Sequence, residues 1–159
     1  MIIISRLILT IINGNRVLAL GCFWGPEIKF SKIDGIKKTE VGYCGGTNAL
    51  TSYKEVCSGT TNHAEVVKLE FDPEIISYED ILNIFFKIHD PTTLNSQGPD
   101  FGTQYRSEIF YDNENQKIVA EKVLNQINEK LSGRVVTKIS KIHNYCKAEE
   151  YHQKYLEKN

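Results

Sequence analysis

The sequence predicts an α/β protein: a two-layer sandwich with a ferredoxin-like split βαβ core. Three observations carry this. Short apolar runs alternate with helix-period segments in the order β-α-β-β-α-β-α-β, turn formers stand at the junctions, and no repeat or low-complexity stretch breaks the series. At 159 residues, 41% hydrophobic and 25% charged, the chain has the length and composition of one ordinary globular domain with a single core.

Taken in order, Val17-Leu18-Ala19-Leu20 is a continuous apolar run of the kind a buried strand needs. It enters Gly21-Cys22-Phe23-Trp24-Gly25-Pro26, where proline suits a helix start, and Phe23, Phe30 and Ile33 follow at helix-compatible spacing until Asp34-Gly35. Ile36 to Tyr43 reads as a second strand closed by Gly45-Gly46, and Val66, Val67, Leu69 and Phe71 as a third, stopped by Asp72-Pro73. Ser77 and Asp80 form a near capping box for an amphipathic helix through Ile81, Leu82, Phe85 and Ile88, ended by Asp90-Pro91. A polar loop from Thr92 to Thr103 is long enough to suggest function. Tyr105 to Tyr111 is strand-like, and Asn113 can cap a helix through Ile118, Val123 and Ile127 that Ser132-Gly133 closes. Val135 to Ile139 is the last expected strand and Ala148 to Leu156 a short terminal helix.

Residues 1–15 read as an apolar extension and 16–159 as a single catalytic domain. The run Met1 to Ile12 is interrupted by Arg6, is too short to span a bilayer, and has neither the basic start nor the cleavage site of a signal peptide. A net charge of -1 with mixed signs supplies no basic field for nucleic acid or an anionic membrane. A cytoplasmic monomer is the expectation. In that setting the four cysteines, Cys22, Cys44, Cys57 and Cys146, are expected as reduced thiols rather than staples.

Cys22 is the strongest chemical signal. It sits where a buried strand meets a helix start, and unpaired N–H groups with the positive helix end favour a thiolate. The placement therefore predicts a thiol ionised at neutral pH. Gly21 and Gly25 permit a tight turn and close ligand approach. Phe23 and Trp24, the only tryptophan, offer an apolar wall that can hold a thioether or sulfoxide methyl group.

Gly21-Cys22-Phe23-Trp24-Gly25 resembles the active-site motif of the A-type peptide methionine sulfoxide reductases. The resemblance continues through Val41-Gly42-Tyr43, Tyr53-Lys54-Glu55-Val56-Cys57-Ser58-Gly59, His63-Ala64-Glu65-Val66-Val67 and His89-Asp90-Pro91. It resumes in Gly102-Thr103-Gln104-Tyr105-Arg106-Ser107 and Ala148-Glu149-Glu150-Tyr151-His152-Gln153, and so covers nearly all of the chain from Val17 to Leu156. It implies thiol-dependent reduction of methionine S-sulfoxide, free or peptide-bound, as protein repair after oxidation. Cys22 would be the nucleophile and become a sulfenic acid. Glu65 would carry the proton with a pKa raised by burial, Tyr53 and Tyr105 would hold the sulfoxide oxygen, and Asp100 the substrate backbone. No cofactor is implied. Electrons would come from thioredoxin or another thiol reductant.

The chain also departs from the pattern. Many family members carry recycling cysteines in a Gly-rich tail, whereas this sequence stops at Asn159, so recycling is expected from another thiol. Cys146, near a chain end expected to move, is the first candidate and Cys44 the second; Cys57 is expected to be buried and structural. Two other classes fit some residues. A zinc-stabilised binding module would use Cys44, Cys57, His143 and Cys146, though without paired Cys-x-x-Cys knuckles. A cysteine acyl-transfer hydrolase would need His63, His89, His143 or His152 beside Cys22.

Overall fold

The computed structural model describes residues 15–159, so the extension expected over 1–15 lies outside the described residues except for Asn15. Strand β1 (Arg16–Leu20) is buried at every position, as its unbroken apolar run requires of a strand covered on both faces. Helix α1 (Trp24–Ser31) leads to β2 (Ile36–Cys44), a single helical turn α2 (Tyr53–Cys57) and β3 (Ala64–Phe71). Helix α3 (Tyr78–Ile88) starts from a complete Ser77–Asp80 capping box. A two-residue-per-strand hairpin, β4 (Ser96–Gln97) and β5 (Asp100–Phe101), and a 3₁₀ turn (Thr103–Tyr105) precede β6 (Ser107–Tyr111). Helix α4 (Glu114–Lys130), capped by Asn113, β7 (Lys138–Lys141), β8 (Cys146–Lys147), a 3₁₀ turn (Glu150–His152) and α5 (Tyr155–Lys158) complete the chain.

The main sheet runs β7-β6-β1-β3-β2-β8. β3 lies antiparallel between β1 and β2, so those two strands, joined by α1, are parallel to each other with β3 inserted. β6 pairs antiparallel on the other side of β1. That is the split βαβ core expected from the element order, extended by β7 parallel to β6 and β8 antiparallel to β2. Alternation along the strands divides the interior. Leu18, Leu20, Tyr43, Val67 and Ile109 face α1, α3 and α4 with Phe30, Ile81, Phe85 and Val123, whereas Val17, Ala19, Cys44, Val66 and Phe110 face the opposite side with Ile142 and Tyr145.

Three boundaries differ from expectation, each for a hydrogen-bonding reason. Val135 and Val136 are not strand: their amides go to Asn128 Oδ1 and the Pro91 carbonyl, which moves the last core strand to Lys138. Tyr105 closes a 3₁₀ turn rather than opening β6, because its amide returns to the Gly102 carbonyl. The terminal helix is split at Lys154, which is left-handed (φ 51°) and donates its amide to the buried Glu27 at 2.6 Å. Cys146, expected in a moving chain end, lies in β8 opposite Tyr43, with Ala148 N–H bonded to the Val41 carbonyl just beyond.

Candidate active site

Cys22 follows β1 and stands two residues before α1, so the buried strand aims it at the end of the sheet where β3 begins. Gly21 makes that turn with φ +92°, and a Cβ there would meet Gln97 Cβ and Cγ at 2.8 Å. The β4–β5 hairpin thus lies directly over the turn, and only glycine lets it approach. Glu65 is the second residue of β3. The β1–β3 register, Leu18 opposite Val67, carried on two residues sets Leu20 opposite Glu65, and Tyr43 flanks it in β2. Its carboxyl is 1% exposed and accepts the Phe23 amide at 3.2 Å.

Burial governs the electrostatics. Desolvation raises Glu65 to about 8 against the single Phe23 hydrogen bond, with Asp100 adding repulsion. The direction expected for the proton carrier is therefore present. The thiol is the reverse of the expectation. Burial pushes Cys22 up to about 11, the Trp24 amide offsets only part of this, and Glu65, Asp100 and Cys57 add to the rise. Burial thus favours the thiol over the thiolate at neutral pH. The helix start was expected to lower it, but α1 is eight residues long, one amide reaches the sulfur, and the charged neighbours are acids.

Aromatic side chains of the two residues after Cys22 build a wall with those of β2, α2 and the chain end. Phe23 is 1% exposed and packs on Tyr43 and His152 at ring separations of 5.8 and 5.2 Å. Trp24 stacks on Tyr155 at 3.9 Å and donates its indole N–H to His152 Nδ1 at 3.0 Å. Tyr53, the first residue of α2, lies 4.6 Å from the His152 ring. Its hydroxyl is raised first by a hydrogen bond to Cys57, then by burial and by the charges of Glu65 and Tyr105. Tyr105 is raised to about 12 by burial, then by Glu65, Cys57, Asp100 and Cys22. Asp100 is half-buried in β5, and its charge is felt at Cys22, Glu65 and Tyr105. Cys22, Glu65, Tyr53, Tyr105, Phe23, Trp24 and Asp100 thus converge.

Other thiols and histidines distribute differently. Cys44 is fully buried on the far face of the sheet, its thiol directed at the His143 carbonyl at 3.4 Å and raised to about 11 by burial. Its packing separates it from the wall formed by Tyr43 and Phe23, because adjacent strand residues point to opposite faces. Cys57, expected to be buried, is exposed at the end of α2. Among the described residues no three His, Cys, Asp or Glu side chains come together as a metal-ligand set, so Cys44, Cys57, His143 and Cys146 do not form the zinc site considered above. His63 spends both ring nitrogens on the Gly46 amide and the Asn48 carbonyl. His89 spends its own on the Phe85 carbonyl and Ser107, and His143 bonds the Lys141 carbonyl. His152 bonds Trp24 rather than Cys22, which leaves the acyl-transfer reading without its base.

Two contributors were not foreseen. Glu149 accepts from the Tyr43 hydroxyl at 2.9 Å, the Tyr53 amide at 3.1 Å and the Tyr151 hydroxyl at 3.3 Å, tying β2, α2 and the chain end together. His152, which falls in the expected terminal helix, is instead 1% exposed in a 3₁₀ turn, with Phe23, Trp24, Tyr53 and Tyr151 around its ring. The block Glu149-Glu150-Tyr151-His152 was the available signal, but its partners lie 96 to 128 residues away.

A half-buried thiol, a buried carboxyl held neutral and a wall of aromatic rings are the apparatus of a cysteine oxidoreductase. The model of the family described as peptide methionine sulfoxide reductase matches residues 15–159. The peptide methionine sulfoxide reductase MsrA of Pelagibacter ubique is 73% identical over 142 residues, covering 89% of this chain and 97% of its own. That of Methanothermobacter thermautotrophicus is 50% identical over 141 residues, covering 87% and 83%. Among solved structures, reduced Mxr1 of Saccharomyces cerevisiae superposes with a TM-score of 0.87 at 42% identity, covering 92% of this chain and 85% of that one. The chain belongs to the peptide methionine sulfoxide reductase family. It is an oxidoreductase that returns methionine S-sulfoxide to methionine.

Proposed function

We propose that Cys22 is the nucleophile of this reduction and Glu65 its proton carrier, with Tyr53 and Tyr105 on the sulfoxide oxygen, Phe23 and Trp24 around the methyl group and Asp100 at the substrate backbone. The observation that carries the reading is the buried Glu65 carboxyl bonded to the amide of Phe23, the residue after Cys22, where burial raises the carboxyl and the thiol alike. The sulfur of Cys22 attacks the sulfoxide sulfur as the thiol proton passes to Glu65, and the proton Glu65 held passes to the sulfoxide oxygen. The protonated oxygen then moves from methionine sulfur to Cys22 sulfur. The S–O bond of the substrate and the sulfur–sulfur bond of the adduct both break, a Cys22 S–O bond forms, and methionine departs, with Cys22 left as a sulfenic acid. Methionine sulfur gains two electrons, Cys22 sulfur loses two, and no proton is consumed. Two phenols on the oxygen stabilise charge there until the proton arrives.

Restoring the thiol takes two electrons from a dithiol, through a disulfide and exchange. A thioredoxin-type protein fits this role, and the Mxr1 relative has been solved in complex with Trx2. The chemistry calls for no bound cofactor, since sulfur supplies every electron. Peptide-bound sulfoxide in oxidised proteins is the substrate that suits the half-buried Asp100, whose neighbour Phe101 is exposed. No helix among the described residues is long and apolar enough to cross a membrane. One assay tests the assignment: each sulfoxide epimer of a blocked methionine, with dithiothreitol, for wild type and C22S. Turnover of the S epimer alone, abolished in C22S, is expected; equal use of both epimers, or activity surviving in C22S, refutes it.

A further inference from the structure

We infer that Cys57 is the thiol that resolves the Cys22 sulfenic acid, an inference that rests on the Cys22 chemistry proposed above. Cys44 is closed off on the opposite face of the sheet. Cys146 is held in β8, its thiol directed at the Thr51 and Lys147 carbonyls at 3.7 and 3.6 Å. Cys57 stands four residues after Tyr53 on α2, so its side chain shares the helix face of the Tyr53 ring, which meets His152 in the aromatic wall at 4.6 Å. Burial raises the thiol and Tyr53 opposes that rise.

The local structure lets this thiol travel. A disulfide needs Cα atoms about 4.4–6.8 Å apart, so the end of α2 must close on Cys22. That end is a single turn whose continuation, Ser58, Gly59 and Thr60, is exposed throughout. Gly59 has φ +78° with open space where a side chain would stand, so the segment is held by hydrogen bonds rather than by packing at that position. The front of α2 is anchored instead, by the Ser52–Glu55 capping box, the Tyr53 amide on Glu149 and the buried Val56. Unwinding the rear turn gives up the bonds of the Ser58 amide to the Lys54 and Glu55 carbonyls, of the Ser58 hydroxyl to the Glu55 carbonyl and of the Gly59 amide to the Val56 carbonyl, which water replaces at an exposed site. Cys57 sulfur then attacks Cys22 sulfur and the S–O bond breaks. The hydroxyl leaves as water with the proton of Glu65, which the Cys57 thiol proton replaces. One disulfide and one water are formed from one sulfenic acid and one thiol, leaving a partly exposed bond for an external dithiol.

The test uses the full chain, reduced, freed of reductant, and given one equivalent of a blocked methionine S-sulfoxide. Released methionine is measured, and the protein is alkylated, digested and mapped by mass spectrometry. A Cys22–Cys57 linkage is expected in wild type and in C146S, with dimedone trapping sulfenic acid on Cys22 in C57S and not in wild type. Turnover supported by a thioredoxin-type dithiol falls at least ten-fold in C57S. A Cys22–Cys146 or Cys22–Cys44 linkage overturns the inference, as does dimedone trapping in wild type equal to that in C57S. Methionine released with Cys57 still free sinks this inference alone. No methionine released, with Cys22 unmodified, sinks the Cys22 assignment with it.

Discussion

Replacing Glu65 by glutamine tests the burial of the proton carrier through stability as well as rate. The folded protein holds this carboxyl neutral to about pH 8, whereas its ordinary value is 4.5. A carboxyl raised by folding contributes fully while both states are protonated. Its contribution starts to fall above pH 4.5, and the loss is complete above about 8. At about 1.4 kcal/mol per tenfold difference in proton affinity, the whole loss is about 5 kcal/mol. Only the part between pH 5.5 and 9 is convenient to measure, about 3 kcal/mol. Urea unfolding of wild type and E65Q at both pH values isolates it, because every other group titrates alike in the pair. Wild type is expected to lose about 3 kcal/mol relative to E65Q over this interval. Parallel stability curves would refute the argument, since they mean that Glu65 ionises in the fold as it does in the open chain. In the sulfoxide assay, E65Q keeps the shape but not the proton, and the rate falls by about 10²–10⁴, while the wild-type rate declines as pH rises through about 8.

Trp24 is the sole tryptophan, and its indole N–H donates to His152 Nδ1, whose affinity for a proton is lowered by burial. Intrinsic fluorescence should therefore change on acidification with a midpoint below 6.5, a transition that H152Q removes; an unchanged titration in H152Q rejects the assignment. G21A forces a left-handed backbone and drives a Cβ to 2.8 Å from Gln97, so a loss of about 1–3 kcal/mol in thermal unfolding is expected, with a raised KM from displacement of the hairpin. E149Q weakens the acceptor shared by Tyr43, Tyr53 and Tyr151 and should cost about 1–3 kcal/mol at neutral pH. Folding lowers the Glu149 pKa, so its contribution is full above the ordinary carboxylate range and fades as pH falls through the depressed value. The two proteins should then converge in acid, and a constant gap disproves the role.

Much of the core was legible because its signals are local. The run Val17 to Leu20 became a strand buried on both sides, and Ser77 and Asn113 cap the helices they announce. The order of runs sufficed for the split βαβ arrangement, since short connections leave few ways to bury one face of each element. What escaped depends on distance or depth. Helix α2 carries its own Ser52–Glu55 capping box, yet five residues are too few for a period to declare itself. Glu149 and His152 look like ordinary polar residues until folding brings residues more than 95 positions away beside them. The ionisation of Cys22 was misjudged because helix ends can be read from sequence, whereas the depth at which a thiol lies cannot. The exposure of Cys57 escaped for the same reason: Val56 turns inward at 1% exposure, and its neighbour on so short a turn is left outside.

The bond from Trp24 to His152 joins positions 128 apart, so the two halves of the catalytic apparatus have unequal histories. Sulfur and carboxyl are encoded within the first 65 positions; the partition that shelters them is finished only by the last dozen. A nascent polypeptide therefore carries its reactive groups long before it can recognise a methyl group. Proteolytic nicking after Lys147 would return a folded molecule to that immature condition, with the sheet standing and the binding surface gone.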